Sequence, residues 1–215
     1  MKKIVLFLGS VLLLASCDVK DPIYNTPHPD HGMITLTTDW SQRGTGIDIP
    51  ASYTVQAGDY STTLGDATNP IDHLFEPGTY RTYIYNTPEQ VSISGTTATV
   101  AVASGNWDGV GAFVVASPGW LFTCAMDAVI EKDTDYELTA TMQQQVRQLT
   151  LIIEPTGSTT DRIERIEGYL SGVAGTLDFS TGIHATPANV ELQFAKITSG
   201  ANAGKYAATV RLLGV

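Results

Sequence analysis

The sequence predicts an all-β fold, and three observations carry the prediction. The chain is rich in Thr, Gly, Ala and Val while charged residues make up only 16%, a balance that favours strands and turns over helices. Apolar residues recur with a period of two in most segments, and nothing before Met142 sustains a helical period. Gly and Pro steps punctuate the alternating runs where turns are needed.

The N-terminus precedes the fold. Lys2 and Lys3 give a positive start, Ile4 to Leu14 give an apolar stretch, and Leu14-Ala15-Ser16-Cys17 follows at once. That order is a secretory signal peptide, residues 1–16, ending in a lipobox. The apolar run is far short of the roughly 20 residues of a spanning helix, so Cys17 is the expected lipidation site, freed by cleavage and then acylated. Loss of Lys2 and Lys3 takes the formal charge from −10 to −12. Such a surface repels nucleic acid and anionic lipid alike, so no nucleic-acid partner is expected and the membrane is reached through acyl chains. Of the two cysteines, lipidation of Cys17 leaves Cys124 without a partner, and no internal disulfide is expected.

Residues 17–32 read as a lipidated tether: DVKDPIYNTPHPDHG, from Asp18 to Gly32, is broken by prolines and has no apolar period. His28, Asp30 and His31 in HPDH have metal-capable side chains, but a proline-broken tether offers no framework to orient imidazoles. They are expected to be solvated, and no metal site is expected.

Alternation begins at Met33, with Ile34, Leu36, Thr38 and Trp40 on one face and Thr35, Thr37 and Asp39 on the other. A weaker strand covers Tyr53 to Ala57. After the Glu76-Pro77-Gly78 turn, Thr79 to Tyr85 carries aromatic and β-branched residues on both faces, as a central strand does. Val91–Ser94 and Thr97–Ala103 flank Gly95 as a hairpin, Phe113–Ala116 is a short buried strand, and Tyr136, Leu138, Ala140 and Met142 alternate with polar residues. The pattern pauses at Gln143-Gln144-Gln145, where a domain boundary is placed, giving an N-terminal domain over 33–144 and a C-terminal one over 145–215. Leu149, Leu151 and Ile153 restart the alternation. Ile163 to Val173 reads mostly as strand, with a short helical turn allowed by Asp161 and Glu164. Val190–Phe194 and Tyr206–Leu212 form a hairpin across the Gly200–Gly204 loop.

Catalytic motifs are missing: there is no G-x-S-x-G, H-E-x-x-H, Walker loop or G-x-G-x-x-G, and Gly168-Tyr169-Leu170-Ser171-Gly172 has the wrong spacing for a nucleophile elbow. Asp133, Asp135 and Glu137 imitate the start of a calcium loop, but Leu138 and Gln144 stand where glycine and glutamate are required. Cys124 is expected to be a small buried hydrophobe. Trp40, Trp107 and Trp120 are expected in the core rather than as sugar-stacking platforms. No enzyme activity and no cofactor are expected.

The run from Thr141 to Thr181, TMQQQVRQLTLIIEPTGSTTDRIERIEGYLSGVAGTLDFST, resembles the FimB-like family of fimbrial anchor and accessory subunit lipoproteins of Bacteroidales. The lipobox, PGTYRTYIYN from Pro77 to Asn86, and KYAATVRLLGV at the end support the resemblance, which is most specific at VRQLTL and YLSGVAG. It implies two tandem transthyretin-like β-sandwich domains at the cell outer membrane, a role in anchoring or regulating fimbriae and so in adhesion, no catalytic residues, and other fimbrial subunits as partners by donor-strand exchange. Family members continue with further strands past RLLGV, so the second sandwich is expected to be incomplete. Its open edge is expected at Tyr206–Leu213 or in the strand beside it. The competing expectation is a surface glycan-binding lipoprotein built from the same sandwiches.

Overall fold

A computed structural model describes residues 27–105, 107, 109–157 and 162–214. The signal peptide, Cys17 and Asp161 lie outside the described residues. The chain is all-β and sandwich-like: its described residues form sixteen strands in three sheets and no α-helix.

Strict alternation builds the first layer. In β1 (Gly32–Asp39) Ile34, Leu36 and Thr38 are buried while their neighbours are half-exposed, because successive side chains on a strand point to opposite faces. β1 lies between β11 (Thr134–Thr141), which runs parallel to it, and the antiparallel β4 (Thr68–Pro70). A five-stranded sheet packs on this one, in the order β12 (Gln143–Gln144), β10 (Phe122–Ile130), β5 (Gly78–Tyr85), β2 (Tyr53–Ala57), β3 (Tyr60–Leu64). β5 has the central place its two-sided apolar pattern predicts. Ile34, Leu36, Val55, Ile84, Phe122 and Met142 meet between the sheets, none more than 1% exposed, and each contributes roughly 1.5–3 kcal/mol by leaving water. Trp40 joins them, edge-on to Phe122 with centroids 5.4 Å apart, its indole N–H donating to Thr38 Oγ1 at 3.0 Å.

The third sheet runs β13 (Arg147–Ile153), β16 (Tyr206–Leu212), β15 (Ile183–Lys196), β14 (Ile166–Asp178), β7 (Thr97–Val100), β6 (Val91–Ser94). β9 (Ala112–Val114) pairs with β15, and β8 (Val102–Ser104) with β9. The segment from Ile166 is therefore strand, and Arg162, just before it, is in a 3₁₀ turn. Its spine is the β14–β15 hairpin, in register from Ile166↔Phe194 to Asp178↔Ile183 with one irregularity between Ser171 and Val173. Gly172 sits there at φ 80°, a left-handed conformation that lets one extra residue bulge from the ladder. At the hairpin tip Asp178 Oδ1 accepts from the Ser180 hydroxyl at 2.7 Å and from Ser180 N–H at 2.9 Å. Those bonds hold its carboxyl down to about 2.

Two cores serve this sheet. Val173, Val190 and Leu192 pack on Ala208, Val210 and Leu212 of β16, with Leu149 and Leu151 of β13 half-buried at the rim. A middle core gathers Val91, Val100, Leu121, Val146, Leu177 and Leu213, with Tyr83 and Tyr85 of β5 against it. Because β7 pairs with β14 at Thr97↔Asp178, hydrogen-bonded pairing and apolar packing both cross the Gln144 position.

One expectation is corrected at the N-terminal end. His28 is not solvated: it is 6% exposed, its Nδ1 donates to the His31 carbonyl at 3.0 Å, and its Nε2 meets Asp135 Oδ1 at 2.9 Å. The described end of the tether is thus pinned to β11. Local composition made it look free, and a carboxylate 107 residues away captures it.

Candidate subunit-docking edge

Every open sheet edge exposes backbone N–H and C=O groups, and natural proteins blunt such edges with short strands, prolines or charges. Most of the edges here are blunted in these ways. β12 has two residues, β6 four and β8 three; β4 ends in Pro70; β11 carries Asp135 and Glu137; β3 is the polar run YSTTL.

β13 is the exception. It is seven residues long, RQLTLII, with neither acid nor proline, and among the described strands it pairs only with β16. Thr150 and Thr209 hydroxyls join across that pair at 3.0 Å. Beyond it, Ile152 and Ile153 are 47% and 36% exposed. Leu149 and Leu151 point at the third core yet stay half-buried, whereas Ala208, Val210 and Leu212 on the neighbouring strand are buried. An added strand would bury those leucines and satisfy the free ladder, the two contributions that drive strand addition. Tyr206–Leu212 is accordingly the strand beside the edge, the second of the two placements the sequence offered. The signal for β13 itself was present as the alternating Leu149, Leu151 and Ile153 in a run without acid or proline; which strand would flank it was not.

Cys17 lies outside the described residues. Cys124 sits on β10 opposite Ile84, half-buried against the first core, and burial pushes its thiol up, away from the thiolate that reactive cysteines need. Asp133 takes φ 55° in the turn before β11, and Asp135 meets the His28 ring. Among the described residues no group of three or more His, Cys, Asp or Glu side chains is placed to hold a metal ion. Trp120 is half-buried under the Arg211 guanidinium, 5.4 Å from its ring centre. Trp107 departs from expectation: it belongs to none of the three cores and stands in a surface cleft beside Tyr169. Among the described residues no helix is long and apolar enough to cross a membrane.

The family model of the fimbrillin-A associated anchor proteins Mfa1 and Mfa2 matches residues 78–215. Among curated proteins none matches the chain. The fold is similar to that of a candidate adhesin from Bacteroides ovatus, with a TM-score of 0.62 at 18% identity over 93% of this chain and 72% of that one. It is similar to a second candidate adhesin from Bacteroides ovatus, with a TM-score of 0.59 at 7% identity over 84% of this chain and 68% of that one. It is also similar to the fimbrial anchor protein Mfa2 from Porphyromonas gingivalis, with a TM-score of 0.54 at 11% identity over 86% and 74% of the two chains.

Proposed function

From the premise that this chain belongs to the family of fimbrillin-A associated anchor proteins Mfa1 and Mfa2, we propose that a lipid on Cys17 holds it in the outer membrane while β13 receives a strand from another fimbrial subunit. Its function is that of a fimbrial anchor or accessory subunit, associated with the cell surface and supporting adhesion. The family is non-enzymatic in kind. The division into segments 33–144 and 145–215 is part of the same proposal, with β6 to β9 of the first segment paired into the sheet of the second and the middle core as the packing they share.

The observation that carries strand addition is β13: a seven-residue edge whose one charge, Arg147, stands at its start, with half-buried leucines beneath it. A lysine there would face an incoming backbone without disturbing β16. Ile152→Lys combined with Ile153→Lys is therefore expected to keep the melting midpoint and to abolish co-purification of fimbrial subunits from cells. Undiminished co-purification by the double variant would rule out β13 as the docking edge. The anchor is tested separately. Cys17→Ser is expected to remove incorporation of labelled fatty acid and to release the protein from the membrane fraction, because the acidic mature chain has no other affinity for lipid. Retained label would end the anchoring argument.

A further inference from the structure

Along β13, Leu149, Leu151 and Ile153 recur at every second position, so a strand added beside it would meet nearly the same pattern after a slip of two residues. Alternation alone leaves the register of such a strand open. A contact at one end of the edge can fix it, and the head of β13 is built for one. Arg147 and Gln148 begin the strand and, with Gln144, Trp120 and the 45–47 turn, line a cleft of about 610 Å³, within the range of about 300–1,000 Å³ usual for ligand sites. The walls are held by bonds of their own. Gln144 is buried; its Oε1 accepts from the Gly44 N–H at 2.7 Å and its Nε2 donates to the Val146 carbonyl at 2.8 Å. Arg43 closes the turn, donating from Nε to the Ile47 carbonyl at 3.0 Å. The Arg211 guanidinium lies over Trp120, 5.4 Å from its ring centre, and Arg211 is the cross-strand neighbour of Gln148.

The charge of this corner is opposite to that of the chain. The net charge is −10, yet the stretches 109–126, 138–153 and 192–215, which supply Trp120, Gln144 to Gln148 and Arg211, contain no Asp or Glu. No carboxylate lines the cleft; Asp48 follows the turn but stands outside the lining. Among the described residues no ion pair involves Arg147 or Arg211. Two guanidinium groups without acids suit a carboxylate, which a guanidinium fork can hold by two parallel N–H···O bonds. The unpaired ladder that runs from the cleft along β13 makes the carrier of that carboxylate a polypeptide. Granting β13 as the receiving edge, we propose that the cleft binds an acidic group at one end of the incoming strand, held by Arg147 with Arg211 beside it, and so sets the register of the added strand. A strand slipped by two residues would keep most apolar contacts and lose this one, which is how a charge pair selects among alignments of similar packing.

The test uses the full chain in detergent and fluorescent peptides the length of β13 that alternate valine and threonine, with both ends blocked. One pair carries glutamate or glutamine as its first residue, and a second pair carries them as its last. A further peptide has no acidic side chain and a free C-terminal carboxylate. Fluorescence anisotropy reads binding. The expected result is about tenfold tighter binding of one glutamate peptide than of its glutamine twin, and the pair that shows it gives the direction of the strand. An equal gain from the free C-terminal carboxylate would assign the acid to a chain end. Arg147→Gln should erase the difference with an unchanged melting midpoint, Arg147→Glu should favour lysine in place of the glutamate, and added salt should shrink the preference. Equal binding of glutamate and glutamine peptides in both pairs overturns the proposal, and so does a preference that persists in Arg147→Gln. The double variant of Ile152→Lys and Ile153→Lys separates the two readings. Peptides that bind without regard to the acid but are lost in that variant leave β13 standing and remove the cleft. Acid-dependent binding that survives it overturns the proposal by giving the cleft to an anion that does not run along β13. Where peptides this short bind too weakly to read, capture of fimbrial subunits from cells by Arg147→Glu decides: loss of capture supports the proposal and undiminished capture overturns it.

Discussion

His28 shows how one side chain joins tether to fold. Its two ring nitrogens face acceptors, the His31 carbonyl and the Asp135 carboxylate, and only the imidazolium can donate at both. The His31 carbonyl bond and then Asp135 raise its pKa above the ordinary 6.5 against an opposing contribution from burial. A raised folded-state value means that the clasp contributes fully below pH 6.5 and is lost as pH rises through the folded pKa. Histidine NMR is expected to show His28 titrating above 6.5, with Asp135→Asn bringing it down. An unshifted titration in the unsubstituted protein would mean that the clasp is not charged. The HPDH sequence contains the ring and its carbonyl partner but gives no sign of Asp135.

At the scale of elements, legibility followed coverage. β1, β2, β5, β11 and β16 cover one face or sit centrally, and β13 half-buries Leu149 and Leu151 on one face, so their period or apolar density marked them in the sequence. β10 buries both Phe122 and Thr123, which erases a period of two. The first five residues of β15 are all exposed, so nothing but their pairing with β14 makes them strand. That pairing depends on close approach at Gly175, where an added Cβ would lie 2.6 Å from the Thr186 carbonyl oxygen. Backbone cannot step aside as a side chain can. Gly175→Ala is therefore expected to cost about 1–3 kcal/mol. Gly168→Ala, on the same strand with nothing within 4 Å of the new atom, should stay within about 0.5 kcal/mol. Urea unfolding midpoints compare the two, and equal midpoints would refute the close-approach argument.

For the whole molecule, the middle core decides cooperativity. Val91, Val100 and Leu121 come from before Gln144, and Val146, Leu177 and Leu213 from after it. Leu121 is fully buried among them, and Leu121→Ala is expected to cost about 2–5 kcal/mol by leaving a cavity. Since the cavity weakens packing on both sides of the boundary, unfolding should remain a single transition shifted as one. Two transitions, only one of them moved by the substitution, would show instead that the halves fold independently. The acidic surface acts at this scale too: a net charge of −10 disfavours contact with anionic lipid, which is why the proposed attachment runs through acyl chains.

By itself the sequence determined the all-β class, most strand positions and the fimbrial family, because period, composition and motif are local properties. Tertiary structure alone decided that β6 and β7 join β14, that β13 is the open edge with Tyr206–Leu212 beside it, that His28 is clasped by Asp135, and that Trp107 stands outside the cores. The reason is physical. Alternation tells which face of a strand is apolar, but every strand offers the same backbone donors and acceptors, so the choice of neighbour rests on which arrangement buries the most apolar surface between segments far apart in the chain.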